Sequence, residues 1–193
     1  KFEGNFPAIY IGCQPPDKVD LMDEALKIAK EVEQVVLMVG TNSDWETEGN
    51  DREDFNLPGK QNELIEKVLE INPNTIIVLN TGSPINMPWI NKAKAVIQSW
   101  YAGQEYGNAL VDILTGDINP SGKLPTTFPV HLSDTPAYES YPGKNLQMDY
   151  DEKLLVGYRW YDKNLIEPLF PFGHGLSYTE FEYSELKIKK DMS

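Results

Sequence analysis

Val35-Val36-Leu37-Met38-Val39 is an unbroken apolar run that stops at Gly40. A strand can carry such a run stably when both of its faces are covered, which is the pattern of a strand inside a parallel sheet. Thr75–Leu79 and Ala95–Trp100 are further apolar segments of strand length. The stretches between them have a helical period. Within Asp17–Glu33, Leu21, Ala25, Ile28, Ala29 and Val32 fall on one face, and within Gln61–Glu70, so do Leu64, Ile65, Val68 and Leu69. Tyr106–Leu114 is a third amphipathic helix, broken by Gly116 and Pro120. The order is helix, strand, helix, strand, strand, helix. It predicts an α/β fold: an open, mostly parallel sheet with helices on both faces and right-handed crossovers, an α/β sandwich. Ligands of such sheets bind at the carboxyl ends of the strands. The loops after Val39 and after Leu79 are therefore the candidate site loops.

The flanks read differently. Phe6–Gly12 is a short β-like run ended by Gln14-Pro15-Pro16. After Ser133 aromatic residues crowd a stretch containing Pro and Gly, and Tyr158, Trp160 and Tyr161 alternate as on a strand, with most of them expected in the core. Phe181–Ile188 alternates like a half-buried strand and reads as the start of a truncated domain.

Seventeen Lys+Arg stand against 30 Asp+Glu, a net charge of −13. Nucleic acid, which needs a basic face, is disfavoured, and so are anionic membrane surfaces. At 40% hydrophobic and 24% charged residues, the 193-residue chain can build a core without disulfides or metals. The lone Cys13 allows no intrachain disulfide and reads as a small buried hydrophobe. Two histidines, His131 and His174, exclude a His-rich metal site; His174, between glycines, reads as structural. No apolar run approaches the ~20 residues of a membrane span. Lys1-Phe2-Glu3-Gly4 is not a signal peptide, and Asn119-Pro120-Ser121 is blocked as a glycosylation sequon. These features lean towards a cytoplasmic rather than a secreted protein. No GxGxxG or GxxxxGK[ST] follows a strand, which disfavours a nucleotide-binding domain.

The densest polar cluster is Asp44-Trp45-Glu46-Thr47-Glu48-Gly49-Asn50-Asp51-Arg52-Glu53-Asp54, beyond the first strand. It reads as a solvated acidic loop, as a cation site, or as an acid/base centre. Its spacing does not match an EF-hand. A glutamate among carboxylates has its ionisation disfavoured, and Trp45 offers desolvation and a stacking face for a sugar ring, which suits general acid/base work.

Thr47-Glu48-Gly49-Asn50-Asp51-Arg52 after a strand ending Val39-Gly40 resembles the acid/base loop of family-3 β-glucosidases. The resemblance continues in order through 54–61, Asn80-Thr81-Gly82-Ser83-Pro84, 100–105, 116–125, Gly157-Tyr158-Arg159-Trp160-Tyr161 and 171–178. It implies a retaining β-glucosidase in which a (β/α)8-like barrel, absent here, supplies the aspartate nucleophile and this α/β sandwich supplies the acid/base. It implies three parts: 1–15 the end of an inserted β-rich module, 16–178 the sandwich, and 179–193 the first strand of a fibronectin-III-like domain. Its substrate would be a β-glucoside or cello-oligosaccharide, with no metal and no organic cofactor. A homo-oligomer of the complete enzyme stays open. The proton donor is expected at Glu48, with Glu46 as the alternative, since in an extended loop the two point in opposite directions. Asp51 and Arg52 are expected to shape the loop as an ion pair. Trp45 is expected to stack on the aglycone or pack beneath the loop, and Trp100, Tyr101 and Glu105 to form a strand-to-helix turn. The competing reading is a non-catalytic sugar-binding or structural module.

Overall fold

The computed structural model describes residues 20–188. The expectations for Phe6–Gly12, Cys13 and the module at 1–15 lie outside them. Helix α1 spans Leu21–Glu31, strand β1 Val35–Gly40, helix α2 Gln61–Ile71, strand β2 Thr75–Asn80, strand β3 Ala95–Gln98, helix α3 Tyr106–Thr115 and helix α4 Tyr158–Asn164. The sheet order is β1-β2-β3 and both pairings are parallel. The crossover from β1 to β2 runs through α2, and that from β2 to β3 through a loop with one 3₁₀ turn at Ile90–Lys92. This is the open parallel α/β arrangement that the apolar runs predict.

The strand register explains the core. Leu37 pairs with Ile77 and Ile77 with Val96, while Val39 pairs with Leu79, so these side chains share one face of the sheet. Ile65 and Leu69 of α2 meet that face, joined by Leu57, Ile85, Met87, Trp89 and Phe128. Ile65, Ile77 and Leu79 are wholly buried, each contributing about 1.5–3 kcal/mol on leaving water. Trp89 closes the floor and its Nε1 donates to Asn62 Oδ1 at 2.9 Å. Asn72 caps the end of α1, its Nδ2 donating to Ala29 O and Val32 O, both at 3.0 Å. Asp20 starts that helix, its carboxylate accepting from Met22 N at 2.9 Å.

Three expectations change. β2 is buried on both faces, but edge strand β1 is not: Val36 and Met38 are 46% and 53% exposed on the face away from the core. A continuous apolar run shows what a strand can bury, not whether a neighbour covers it. Second, Tyr158, Trp160 and Tyr161 lie on a helix, α4, which buries Tyr161 and leaves Tyr158 exposed. Gly157 at φ 56° and Leu165 at φ 54° bound it. Third, residues 181–188 form no strand; Phe181, Tyr183, Leu186 and Ile188 are all exposed. Of the aromatics after Ser133, Tyr161 is buried and Phe170 packs on the core, while Tyr138, Tyr141, Tyr150 and Phe172 stay exposed. Phe128 bridges to Phe170, Trp100 and Phe170 meet Phe128 edge-on at 6.1 and 6.3 Å, and the His174 ring lies against Phe170.

Candidate active site

The site is built where the three strands end. At the end of β1, a Cβ on Gly40 would lie 2.2 Å from Asn80 O, so only glycine lets the tips of β1 and β2 meet. Gln61, the first residue of α2, then ties both ends of the following loop. It accepts from Gly40 N at 2.8 Å and donates to Gly40 O at 2.9 Å and Pro58 O at 3.3 Å. Within the loop, Thr47 and Asn50 bridge each other, placing Glu48 and Gly49 at the tip of a tight turn. Gly49 sits at φ 81°, a conformation that costs other residues a Cβ clash.

Glu46, just before the turn, is held from every side. Its Oε2 accepts from Thr41 Oγ1 at 2.7 Å, from Gly82 N at 2.8 Å and from the Tyr101 hydroxyl. Its Oε1 accepts from Ser83 Oγ and lies 3.6 Å from Arg52 Nη1. Burial by itself would push the Glu46 carboxyl up, but the donors from Ser83, Tyr101, Thr41 and Gly82 outweigh it and bring it down to about 2. The Tyr101 hydroxyl is pushed up, first by burial and then by its bond to Glu46.

Glu48 has the opposite surroundings. It is exposed and has no hydrogen-bond partner among the described residues. Both glutamates line one cavity of about 450 Å³, with Trp45, Asp51, Arg52 and Tyr101. They share it across a tight turn rather than an extended loop: Glu46 faces its donors at Thr41, Gly82 and Ser83, while Glu48 is exposed. Trp45 is 40% exposed and lines that cavity.

Asp51 and Arg52 do not pair with each other. Asp51 accepts from the Tyr141 hydroxyl at 2.6 Å, while Arg52 pairs with Glu46 and donates through Nη2 to Pro84 O at 3.3 Å. Neighbours in sequence on a bent loop face different partners. Arg52 Nη1 is buried without a hydrogen bond. Trp100 forms the expected turn at φ 53°, with Tyr101 directed back to Glu46. Thr41, Gln61, Gly82, Ser83 and Tyr101 escape a reading of the acidic cluster alone. All but Gln61 follow a strand's carboxyl end, the signal by which they could have been found. Among the described residues no group of three or more His, Cys, Asp or Glu is placed to hold a metal ion, and no helix is long and apolar enough to cross a membrane.

Residues 14–178 match the glycosyl hydrolase family 3 C-terminal domain. The chain belongs to that family. It is 50% identical over 169 residues to "Probable beta-glucosidase I" of Aspergillus flavus, covering 88% of this chain and 20% of that protein. It is also 50% identical over 175 residues to "Thermostable beta-glucosidase B" of Acetivibrio thermocellus, covering 90% of this chain and 23% of that protein. Among solved structures it is similar to β-glucosidase from Kluyveromyces marxianus in complex with glucose. That match has a TM-score of 0.81 and 45% identity, covering 83% of this chain and 19% of the other. This family 3 domain thus spans about a fifth of the length of these relatives.

Proposed function

We propose that this family 3 domain belongs to a retaining β-glucosidase and supplies its general acid/base through Glu48. The observation that carries the reading is the contrast between two glutamates on one cavity. Glu46 has its lone pairs taken by donors that favour the carboxylate. Glu48, at the tip of a turn, is exposed, lines the same cavity and has no hydrogen-bond partner among the described residues. A group that must both give and take a proton at a substrate oxygen has to reach that oxygen, and only Glu48 is free to do so.

The reaction runs in two steps. An aspartate from a barrel domain of the same enzyme attacks the anomeric carbon of a terminal β-D-glucosyl unit as protonated Glu48 gives its proton to the leaving oxygen. Glu48, now a carboxylate, takes a proton from the water that hydrolyses the glycosyl-enzyme, regenerating both groups. Retention requires the two carboxyls about 5–5.5 Å apart, so the barrel docks over this cavity. Trp45 lies on the cavity rim, where an aglycone sugar would stack. The substrate class is β-glucosides, including cello-oligosaccharides, in keeping with the names of the relatives.

In the complete enzyme, Glu48→Ala is expected to lower kcat/KM for an alkyl or unactivated aryl β-glucoside by about 10²–10⁴-fold. An activated 2,4-dinitrophenyl glucoside needs no proton and should keep its kcat/KM. Azide should raise the variant's kcat on that substrate and yield the β-glucosyl azide. Unchanged hydrolysis of the unactivated glucoside by Glu48→Ala sinks the assignment.

A further inference from the structure

We infer that Glu46 is a positioning residue, a carboxylate clamp that draws the ends of all three strands together and thereby fixes the turn that presents Glu48. The inference rests on the reading of Glu48 as acid/base and goes beyond it to what holds that group in place. The donors come from three separate elements. Thr41 follows β1, Gly82 and Ser83 follow β2, and Tyr101 lies beyond β3. Thr41 Oγ1 and the Tyr101 hydroxyl also lie 2.6 Å apart, so their two protons are shared among this contact and Glu46 Oε2.

The clamp sits at the base of the turn. Glu46 precedes the Thr47–Asn50 bridge and Arg52 follows it, and these two residues pair across the base at 3.6 Å. Both limbs are then fixed to the β2 loop: Glu46 through Gly82 and Ser83, and Arg52 through Pro84 O. Glu48 itself is exposed and makes no hydrogen bond or ion pair among the described residues, so its place is inherited from these anchors. Gly82 confirms how close the parts come. A Cβ there would lie 2.8 Å from Tyr101 Cε2 and 3.0 Å from Glu46 Oε2.

A carboxylate accepts on both oxygens; an amide offers one acceptor and replaces the other with donors. Glu46→Gln therefore sets an NH₂ against donors and loosens the turn with little change in volume. The test uses the complete enzyme, with Glu48→Ala in parallel and each variant's melting followed. The substrates are an unactivated aryl β-glucoside and 2,4-dinitrophenyl β-glucoside. Glu46→Gln is expected to lower kcat/KM for the unactivated glucoside by about 10–100-fold, as displacement of a catalytic group by an ångström does. The activated glucoside should lose far less, and azide should restore nothing, because Glu48 still occupies its place.

An unchanged kcat/KM on the unactivated substrate, with Glu48→Ala impaired, overturns the clamp and leaves the acid/base reading standing. Equal losses on both substrates overturn it as well, since general damage does not sort leaving groups. Azide rescue of Glu46→Gln makes Glu46 the proton carrier and overturns both. Full activity of Glu48→Ala removes the acid/base reading and the clamp with it. If Glu46→Gln does not fold, Ser83→Ala is read by the same leaving-group comparison: a selective loss supports the clamp, and no loss overturns it.

Discussion

Two glutamates separated by one residue have different surroundings here: Glu46 is ringed by donors and Glu48 is exposed. Glu46 lies at about 2 against an ordinary value of 4.5. A carboxyl whose folded value is depressed stabilises the fold above its unfolded value, and that contribution is lost as pH falls towards the folded value. Glu46→Gln is expected to cost on the order of 1–3 kcal/mol at pH 7. The difference between wild type and variant should close as pH falls from about 4.5 to about 2. Melting curves at pH 7, 5, 3 and 2 check this, and a gap that stays constant across the series contradicts it. The sequence locates the acidic cluster but cannot choose between its glutamates on composition. The donors that make Glu46 an anchor stand 36, 37 and 55 residues away at Gly82, Ser83 and Tyr101, and only the parallel sheet brings them there. The Asp51–Arg52 pair fails for a related reason: adjacency in sequence says little about adjacency on a turn.

At the scale of elements, periodicity decided most of the fold. The runs at 35–39 and 75–79 carry enough consecutive apolar residues to specify strands, and α1, α2 and α3 each repeat a helical period over more than two turns. Where the signal was short it failed. Three aromatics within Tyr158–Tyr161 fit a strand's alternation and a helix's turn equally well, and the structure has the helix, with Tyr161 buried. Alternation over 181–188 meets no strand to pair with among the described residues. The junction of β1 and β2 supports a contrast between two glycines. Gly40→Ala places a methyl 2.2 Å from Asn80 O and 2.9 Å from Asn80 C, both backbone atoms that cannot turn aside. It should lower stability by about 1–3 kcal/mol and, by parting the strand tips, loosen the loop that carries Glu48. Gly107, within α3, has nothing within 4 Å of an added Cβ. Gly107→Ala should raise stability by about 0.5–1 kcal/mol. Paired thermal melts check both signs, and a Gly40→Ala variant as stable as wild type would show that the strand tips separate freely.

At the scale of the molecule, the proposed function makes the domain half of a catalytic pair. Its one cavity that carries Glu48 is rimmed by Trp45, Asp51 and Tyr101, and its walls come from loops at one end of the sheet. On the proposed function the opposing wall and the nucleophile belong to a barrel that the resemblance implies and this chain does not contain. General acid catalysis without a nucleophile acts only on water attack, and a carboxyl on an open surface neither excludes solvent nor orients a glucosyl unit. The isolated chain is therefore expected to show no turnover of 4-nitrophenyl β-D-glucoside above the rate of a Glu48→Ala control. The comparison counts only for a chain that melts cooperatively, which shows that it is folded. Adding the separately produced barrel should restore hydrolysis in proportion to complex formed, and Glu48→Ala should abolish that restoration for unactivated glucosides. Turnover by the isolated chain that disappears in Glu48→Ala would mean that a nucleophile resides among these 193 residues, and would replace the divided site with a complete one.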